Sequence, residues 1–212
     1  MENKKTSIII ISGGSASGKT TVAKRIANDI LKGKSVINLS MDSYYRDFKK
    51  DGKIETEDIN FDHPDSIDVE LLVSDLKKLQ NREAIDSPVY DFTTSSRLKH
   101  KNHIEPADVI ILDGILALHV EKIRELGDIK IFIRTHDDIR LIRRLTRDMK
   151  DYGRKFDDIV NKYLQTVRPM HEYFVEPSIK YADIIIPYYE GNEVAVDLIA
   201  TKIESLLKSR DK

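Results

Sequence analysis

The sequence predicts an α/β fold in three layers, a central and mainly parallel β-sheet sandwiched between helices. Three observations carry that prediction. Short runs dominated by Ile and Val recur without alternation, helical patterns separate them, and a glycine-rich turn joins the first run to the first helical pattern.

The apolar runs are "SIIIIS" (7–12), "SVINLS" (35–40), "DVIILD" (108–113), "IKIFIR" (129–134) and "DIIIP" (183–187). Continuous runs of this length predict strands buried on both faces, as in a parallel sheet. After the first strand, "KTTVAKRIANDIL" places Val22 and Ile26 on one helical face. Val69, Leu72, Leu76 and Leu79 do the same further on, with Asp68 as the expected N-cap. Ile199, Ile203 and Leu206 predict a last helix. The polar stretches 44–66 and 84–104 read as excursions from the sheet, with "SPVYDF" as an edge strand or hairpin arm. Nothing resembles a linker, so the expectation is one domain over 1–212.

Composition narrows the function. Hydrophobic residues are 40% and charged residues 33% of the chain, and 35 basic residues nearly cancel 36 acidic ones. A nucleic-acid polymer is therefore a disfavoured partner, because polyanion binders carry a basic excess. No apolar run approaches the ~20 residues that cross a bilayer. "MENKKTS" does not read as a signal peptide, and the absence of cysteine excludes disulfides and thiolate metal sites. The expectation is a cytoplasmic protein with no membrane partner.

The glycine-rich turn is the most specific signal. Gly13, Gly18, Lys19 and Thr20 satisfy G-x-x-x-x-G-K-[ST] between a predicted strand and a predicted helix, the P-loop context. Gly13, Gly14, Ser15, Ala16, Ser17 and Gly18 let backbone N–H groups curl around phosphate, and the following helix, opening at Lys19, Thr20 and Thr21, aims its N-terminus at the same anion. Lys19 would reach the β- and γ-phosphates and Thr20 would offer its hydroxyl to Mg²⁺. This is the phosphate site of a P-loop NTPase fold.

Other candidates gather around it. Asp113 ends a strand, as a magnesium-holding carboxylate would, although Asp-Gly is also an ordinary turn. Asp42 comes just after another strand, where the ligand crevice of an open α/β sheet lies. It can take a proton from an attacking hydroxyl, or serve as a cap or turn residue. Arg140, Arg143, Arg144 and Arg147 form one helical stripe, either a solvated face paired with Asp137, Asp138 and Asp148 or cations for a transferring phosphoryl group. Ile142, Leu145 and Met149 occupy the opposite face, which is expected to pack inward. Gly153 and Arg154 would end a mobile lid covering roughly 140–160. Tyr44, Tyr45, Phe61, Tyr90 and Phe92 lie in the excursions, where rings stack on a base or staple loops to the core. The six histidines show no metal-ligand spacing.

In order along the chain, "GGSASGKTT", "MDSYY", "NFDHPDSID", "PVYDF", "DIRLIRRLTRD" with "YGR", and "TVRPMHEYFVEPSIKYADIIIP" resemble the uridine–cytidine kinases of the phosphoribulokinase/uridine kinase family. The resemblance covers nearly the whole chain. It implies a kinase that uses ATP or GTP with Mg²⁺ to phosphorylate the ribose 5′-hydroxyl of uridine or cytidine. It also implies a β-hairpin excursion, a helical lid and a cytoplasmic homotetramer.

By the same resemblance Asp42 is the base and joins Thr20 and Asp113 around the metal. Lys19, Arg143 and Arg144 serve the phosphates, and Arg140 binds ribose. Tyr45 borders the base pocket, Phe61 packs the nucleoside, Asp62 holds the ribose hydroxyls, and Tyr90 and Phe92 contact the pyrimidine. Three positions depart from the pattern: Ser95 replaces a base-reading histidine, Asp113 a glutamate, and Asp158 a glutamine that contacts ribose. Rival readings are a sugar-phosphate, pantothenate or glycerate kinase on the same scaffold, or a non-catalytic nucleotide-binding relative. No N-K-x-D guanine-reading motif supports a switch GTPase.

Overall fold

A computed structural model describes residues 5–31, 33–48, 59–92 and 94–187. The helix expected on Ile199, Ile203 and Leu206 lies outside the described residues, as does 49–58 of the first excursion.

Five strands form one parallel sheet: β1 (Ser7–Ser12), β2 (Val36–Ser40), β5 (Val109–Asp113), β6 (Ile129–Arg134) and β7 (Ile184–Pro187), in the order β2-β5-β1-β6-β7. The absence of alternation in the strands now has its cause. Ile8 and Ile10 of β1, with Ile110 and Leu112 of β5, enter one core together with Leu72, Leu76 and Leu79 of α2 (Val69–Gln80). Their neighbours Ile9, Ile11, Val109 and Ile111 enter a second core on the other face, against Val22, Ala23 and Ile26. Val22 and Ala23 belong to α1 (Lys19–Arg25), which runs on through a wider π-type turn at Ile26–Ile30. Each strand is thus apolar on both sides because each side meets helices.

Asp68 caps α2 as expected, accepting the Leu71 N–H at 3.3 Å. The second excursion is a hairpin of β3 (Ile85–Asp91) and β4 (Ser96–Ile104), separate from the main sheet. Pro88 interrupts it: the register shifts between Pro88 and Tyr90, the bulge position that tolerates a missing N–H.

All strands of the main sheet point the same way, so their C-terminal ends gather at one edge. The glycine loop leaves β1 there, a short 3₁₀ turn (Met41–Tyr44) leaves β2, Asp113 ends β5, and α4 (Asp137–Tyr152) comes after β6. After α4, Gly153 adopts φ 63° and α5 (Phe156–Lys162) begins.

One expectation about α4 is reversed. Ile142 and Met149 are 59% and 48% exposed, whereas Arg140 is 3% exposed. The arginine face turns toward the glycine loop and the apolar face outward, because the neighbour of this helix is a polar loop and not a hydrocarbon core.

Candidate active site

The loop after β1 is built for close approach. Gly18 caps α1 with φ 97°, and Gly13 has φ 144°, both positions that favour glycine. A β-carbon on Gly13 would collide with the carbonyl of Ile133, and one on Gly14 with the guanidinium of Arg140. Thr135, buried at the end of β6, donates its hydroxyl to the Ser17 carbonyl at 2.9 Å and ties the loop to the sheet. The first turn of α1 carries no acidic residue, so nothing competes with an anion for its N–H groups. Lys19 Nζ donates to the Gly14 carbonyl at 2.9 Å, which folds the lysine along the loop.

A cavity of about 520 Å³ opens over this loop, lined among others by Lys19, Thr20, Asp42, Asp113, Arg143 and Arg147. That is ample for a small-molecule site. Register explains the pair of acids. Ser40 pairs with Asp113 across β2 and β5, and Asp42 stands two residues past Ser40. Ser40 is also the hinge of the arrangement: its hydroxyl accepts the Asp42 N–H at 3.3 Å and lies 3.5 Å from the Asp113 carboxylate.

Burial dominates the electrostatics. It pushes the Asp42 carboxyl up to about 6, against the pull of Lys19, while Asp113 pushes in the same direction as burial. Asp113 is raised by the same desolvation, opposed by Lys19 and by hydrogen bonds from Thr20 and Ser40. Lys19 is lowered by burial, against the attraction of Asp113 and Asp42. Two recessed carboxylates beside one lysine and a threonine hydroxyl form an oxygen-rich donor set suited to a hard divalent cation.

The aromatic residues converge on one another. Tyr45 packs edge-on against Phe61 at 5.1 Å, Tyr90 at 5.3 Å and Phe92 at 6.2 Å between ring centroids. Tyr45 and Tyr90 are buried and Phe92 is exposed. The Asp42 carboxylate lies close enough to raise the Tyr45 hydroxyl, after burial the next cause, which sets this cluster beside the cavity. Asp62 is close enough to raise Asp42 and to feel Arg144 and Lys19, and burial raises its own carboxyl.

The remaining expected residues occupy varied positions. Arg144 donates to the Ser15 hydroxyl at 2.9 Å, while Arg143 faces the cavity. Arg140 lies against Gly14 and pairs with Asp137 at 2.6 Å, outside the cavity lining, so it is not brought to the ribose side here. Ser95 is buried in the hairpin turn with φ 51°. Asp158 is exposed in the first turn of α5, away from the lining.

Sequence reasoning passed over Arg97. From β4 its Nε donates to the Tyr45 carbonyl at 2.7 Å and Nη2 to the Tyr44 carbonyl at 3.1 Å, and both Nη atoms reach the Asp68 carboxylate at 3.2 Å. It clamps the hairpin and the N-terminus of α2 to the turn that presents Asp42. Tyr44 adds a second pin, donating its buried hydroxyl to Asp75 of α2 at 2.9 Å.

Known proteins resemble this chain. The chain is 50% identical over 204 residues to the uridine kinase of Lactobacillus helveticus, covering 96% of this chain and 97% of that one. It is 47% identical to the uridine kinase of Staphylococcus aureus strain JH9, covering 98% and 100%. Among solved structures, phosphoribulokinase from Rhodobacter spheroides superposes with a TM-score of 0.69 at 13% identity, over 99% of this chain and 100% of that one. A protein described as a possible uridine kinase from Bacillus stearothermophilus gives 0.63 at 20% identity, over 88% and 91%. The phosphoribulokinase/uridine kinase family model matches residues 8–195, which includes the glycine loop, both cavity carboxylates and the arginine helix; the chain belongs to that family.

Proposed function

We propose that the protein is a pyrimidine ribonucleoside kinase that transfers the γ-phosphate of ATP or GTP to the 5′-hydroxyl of uridine or cytidine. One observation carries the reading. Asp42 lines the same cavity as Lys19 and lies close enough to raise the hydroxyl of Tyr45 in the aromatic cluster, so a carboxylate stands between a phosphate cradle and a set of flat faces.

In this mechanism the loop N–H groups and Lys19 hold the outer phosphates, and Arg143 and Arg144 balance charge on the transferring group. Thr20, Asp113 and Asp42 would hold magnesium, which when bound would offset the negative charge of the phosphates. Asp42 accepts the proton of the 5′-hydroxyl as its oxygen attacks phosphorus, a task suited to a carboxyl lifted toward 6. Asp62 holds the ribose hydroxyls. Tyr45, Phe61, Tyr90 and Phe92 part to admit the pyrimidine, with Ser95 at its edge and Arg140 and Asp158 reaching the ribose on closure of 140–160. The aromatic cluster favours a nucleoside over glycerate, pantothenate or a sugar phosphate, whose small polar bodies need arginine and hydroxyl contacts.

The whole of 1–212 acts as one kinase domain in this proposal, assembled as a cytoplasmic homotetramer. No helix among the described residues is long and apolar enough to cross a membrane; sedimentation of the purified protein tests the assembly. Function is tested with Mg·ATP and an acceptor panel of uridine, cytidine, adenosine, pantothenate and glycerate, following ADP release. Uridine or cytidine should be turned over fastest, and preference for any other acceptor overturns the proposal.

A further inference from the structure

A further buried acid stands near the cavity and has no part in the proposed mechanism. Asp148, near the end of α4, is 1% exposed. Three guanidinium groups converge on it. Arg147 pairs with Oδ1 through Nε at 2.8 Å and Nη2 at 2.7 Å. Oδ2 faces Arg144 Nε at 3.6 Å and Arg154 Nη1 at 3.5 Å. One negative charge therefore gathers three positive ones, and two of the three point onward to the candidate site. Arg147 lines the cavity, and Arg144 spans from Asp148 to the Ser15 hydroxyl of the glycine loop.

We propose that Asp148 is a positioning residue for the nucleotide phosphates, holding Arg144 and Arg147 in place before the nucleotide arrives. The inference rests on the nucleotide half of the proposed function. Its physics is preorganisation. A long arginine in water must be ordered when an anion binds, which weakens binding. An arginine already held along one edge of its fork keeps its other donors for phosphate oxygens. Arg147 gives Asp148 its Nε and Nη2 edge, so Nη1 is left for an anion in the cavity it lines. The carboxylate also offsets repulsion among three clustered guanidiniums, so the stripe can stay packed over the loop while the site is empty. Arg154, beyond the Gly153 turn, closes the arrangement from the far side. Its N–H also bonds the Asp148 carbonyl at 3.1 Å, so this residue fixes both the helix end and the charge cluster.

Asp148→Asn keeps the shape and removes the charge. Calorimetry with Mg·ADP should show affinity weakened about tenfold, in the range seen when a supporting partner is lost. The KM for uridine should stay within about twofold. Arg147→Gln should cost nucleotide affinity similarly, and the double variant less than the sum of the single losses, because the two changes share Arg147. Unchanged Mg·ADP affinity in Asp148→Asn overturns the proposal, whether or not its Tm falls, since a merely structural acid would lower stability alone. Additive losses in the double variant overturn it too. Should Asp148→Asn fail to fold, the Arg147 Nε–H resonance of the wild-type protein, assigned with Arg147→Lys, decides: slow solvent exchange without nucleotide is expected, and exchange as fast as a free arginine defeats the idea. A wild-type protein that binds Mg·ADP but never phosphorylates uridine would sink the nucleoside reading and leave these binding arms intact.

Discussion

Gly14 and Arg140 show how closely the cradle is fitted. Gly14 has no unusual backbone requirement, so its substitution tests sterics alone: a methyl group there meets a guanidinium that is buried and paired with Asp137. Gly14→Ala should therefore destabilise the protein by about 1–3 kcal/mol in urea titration and weaken Mg·ATP binding. Ser95 tests specificity. Its φ of 51° is one that histidine tolerates better than most side chains. Ser95→His should strengthen discrimination for pyrimidine over purine nucleosides, measured as the ratio of kcat/KM for uridine and adenosine; an unchanged ratio removes that position from the readout. At this scale the glycine loop was legible because its spacing is tied to a chemistry. Arg97 was not, because two of its partners are backbone carbonyls some fifty residues away in sequence, and no periodicity marks such a contact.

Among the elements, α4 is the instructive one. Its stripe of arginines was visible in the sequence, and so was its apolar stripe, yet the rule that apolar faces turn inward gave the wrong orientation. That rule holds where the neighbour is a hydrocarbon core. Here the neighbour is the polar glycine loop, which a guanidinium meets with a hydrogen bond from Arg144 to Ser15. The strands were read correctly for the complementary reason: both of their faces do meet apolar helices. The hairpin obeys a third logic, since it is held to the turn of Asp42 through Arg97. Arg97→Ala should cost about 2–4 kcal/mol in urea unfolding, from the loss of four hydrogen bonds, two of them to a carboxylate. It should also raise the KM for nucleoside while leaving Mg·ATP affinity unchanged, because the clamp lies on the acceptor side; a loss confined to the ATP side would contradict this division.

For the whole molecule, the parallel sheet is what makes one site from distant pieces: the loop, both acids and the arginine helix all leave the same edge. Sequence could foresee that edge from strand type and order, but not whether the aromatic half stands open, since ring packing against ring depends on side-chain contacts across the hairpin. Charges buried beneath the site set a global pH response. His171 is held down to about 4, chiefly by burial and then by Arg140. Between about 4 and 6.5 the unfolded chain binds a proton there that the folded one does not, so this residue makes stability rise with pH, by up to about 3 kcal/mol across the window. Asp42, raised toward 6, gives the opposite slope over an overlapping range. The contribution is therefore read as a difference: relative to His171→Leu, the wild-type protein should lose stability on acidification from pH 6.5 to 4, and parallel stability curves would refute the assignment.

In the proposed mechanism a single carboxylate, Asp42, set between phosphate cradle and aromatic cluster, drives transfer to the nucleoside. Following UMP formation from uridine and Mg·ATP by ³¹P NMR, with wild-type protein and with Asp42→Asn, tests it directly. The variant should still bind ATP and form UMP slower by about two orders of magnitude or more. UMP formation at the wild-type rate in Asp42→Asn would contradict the account.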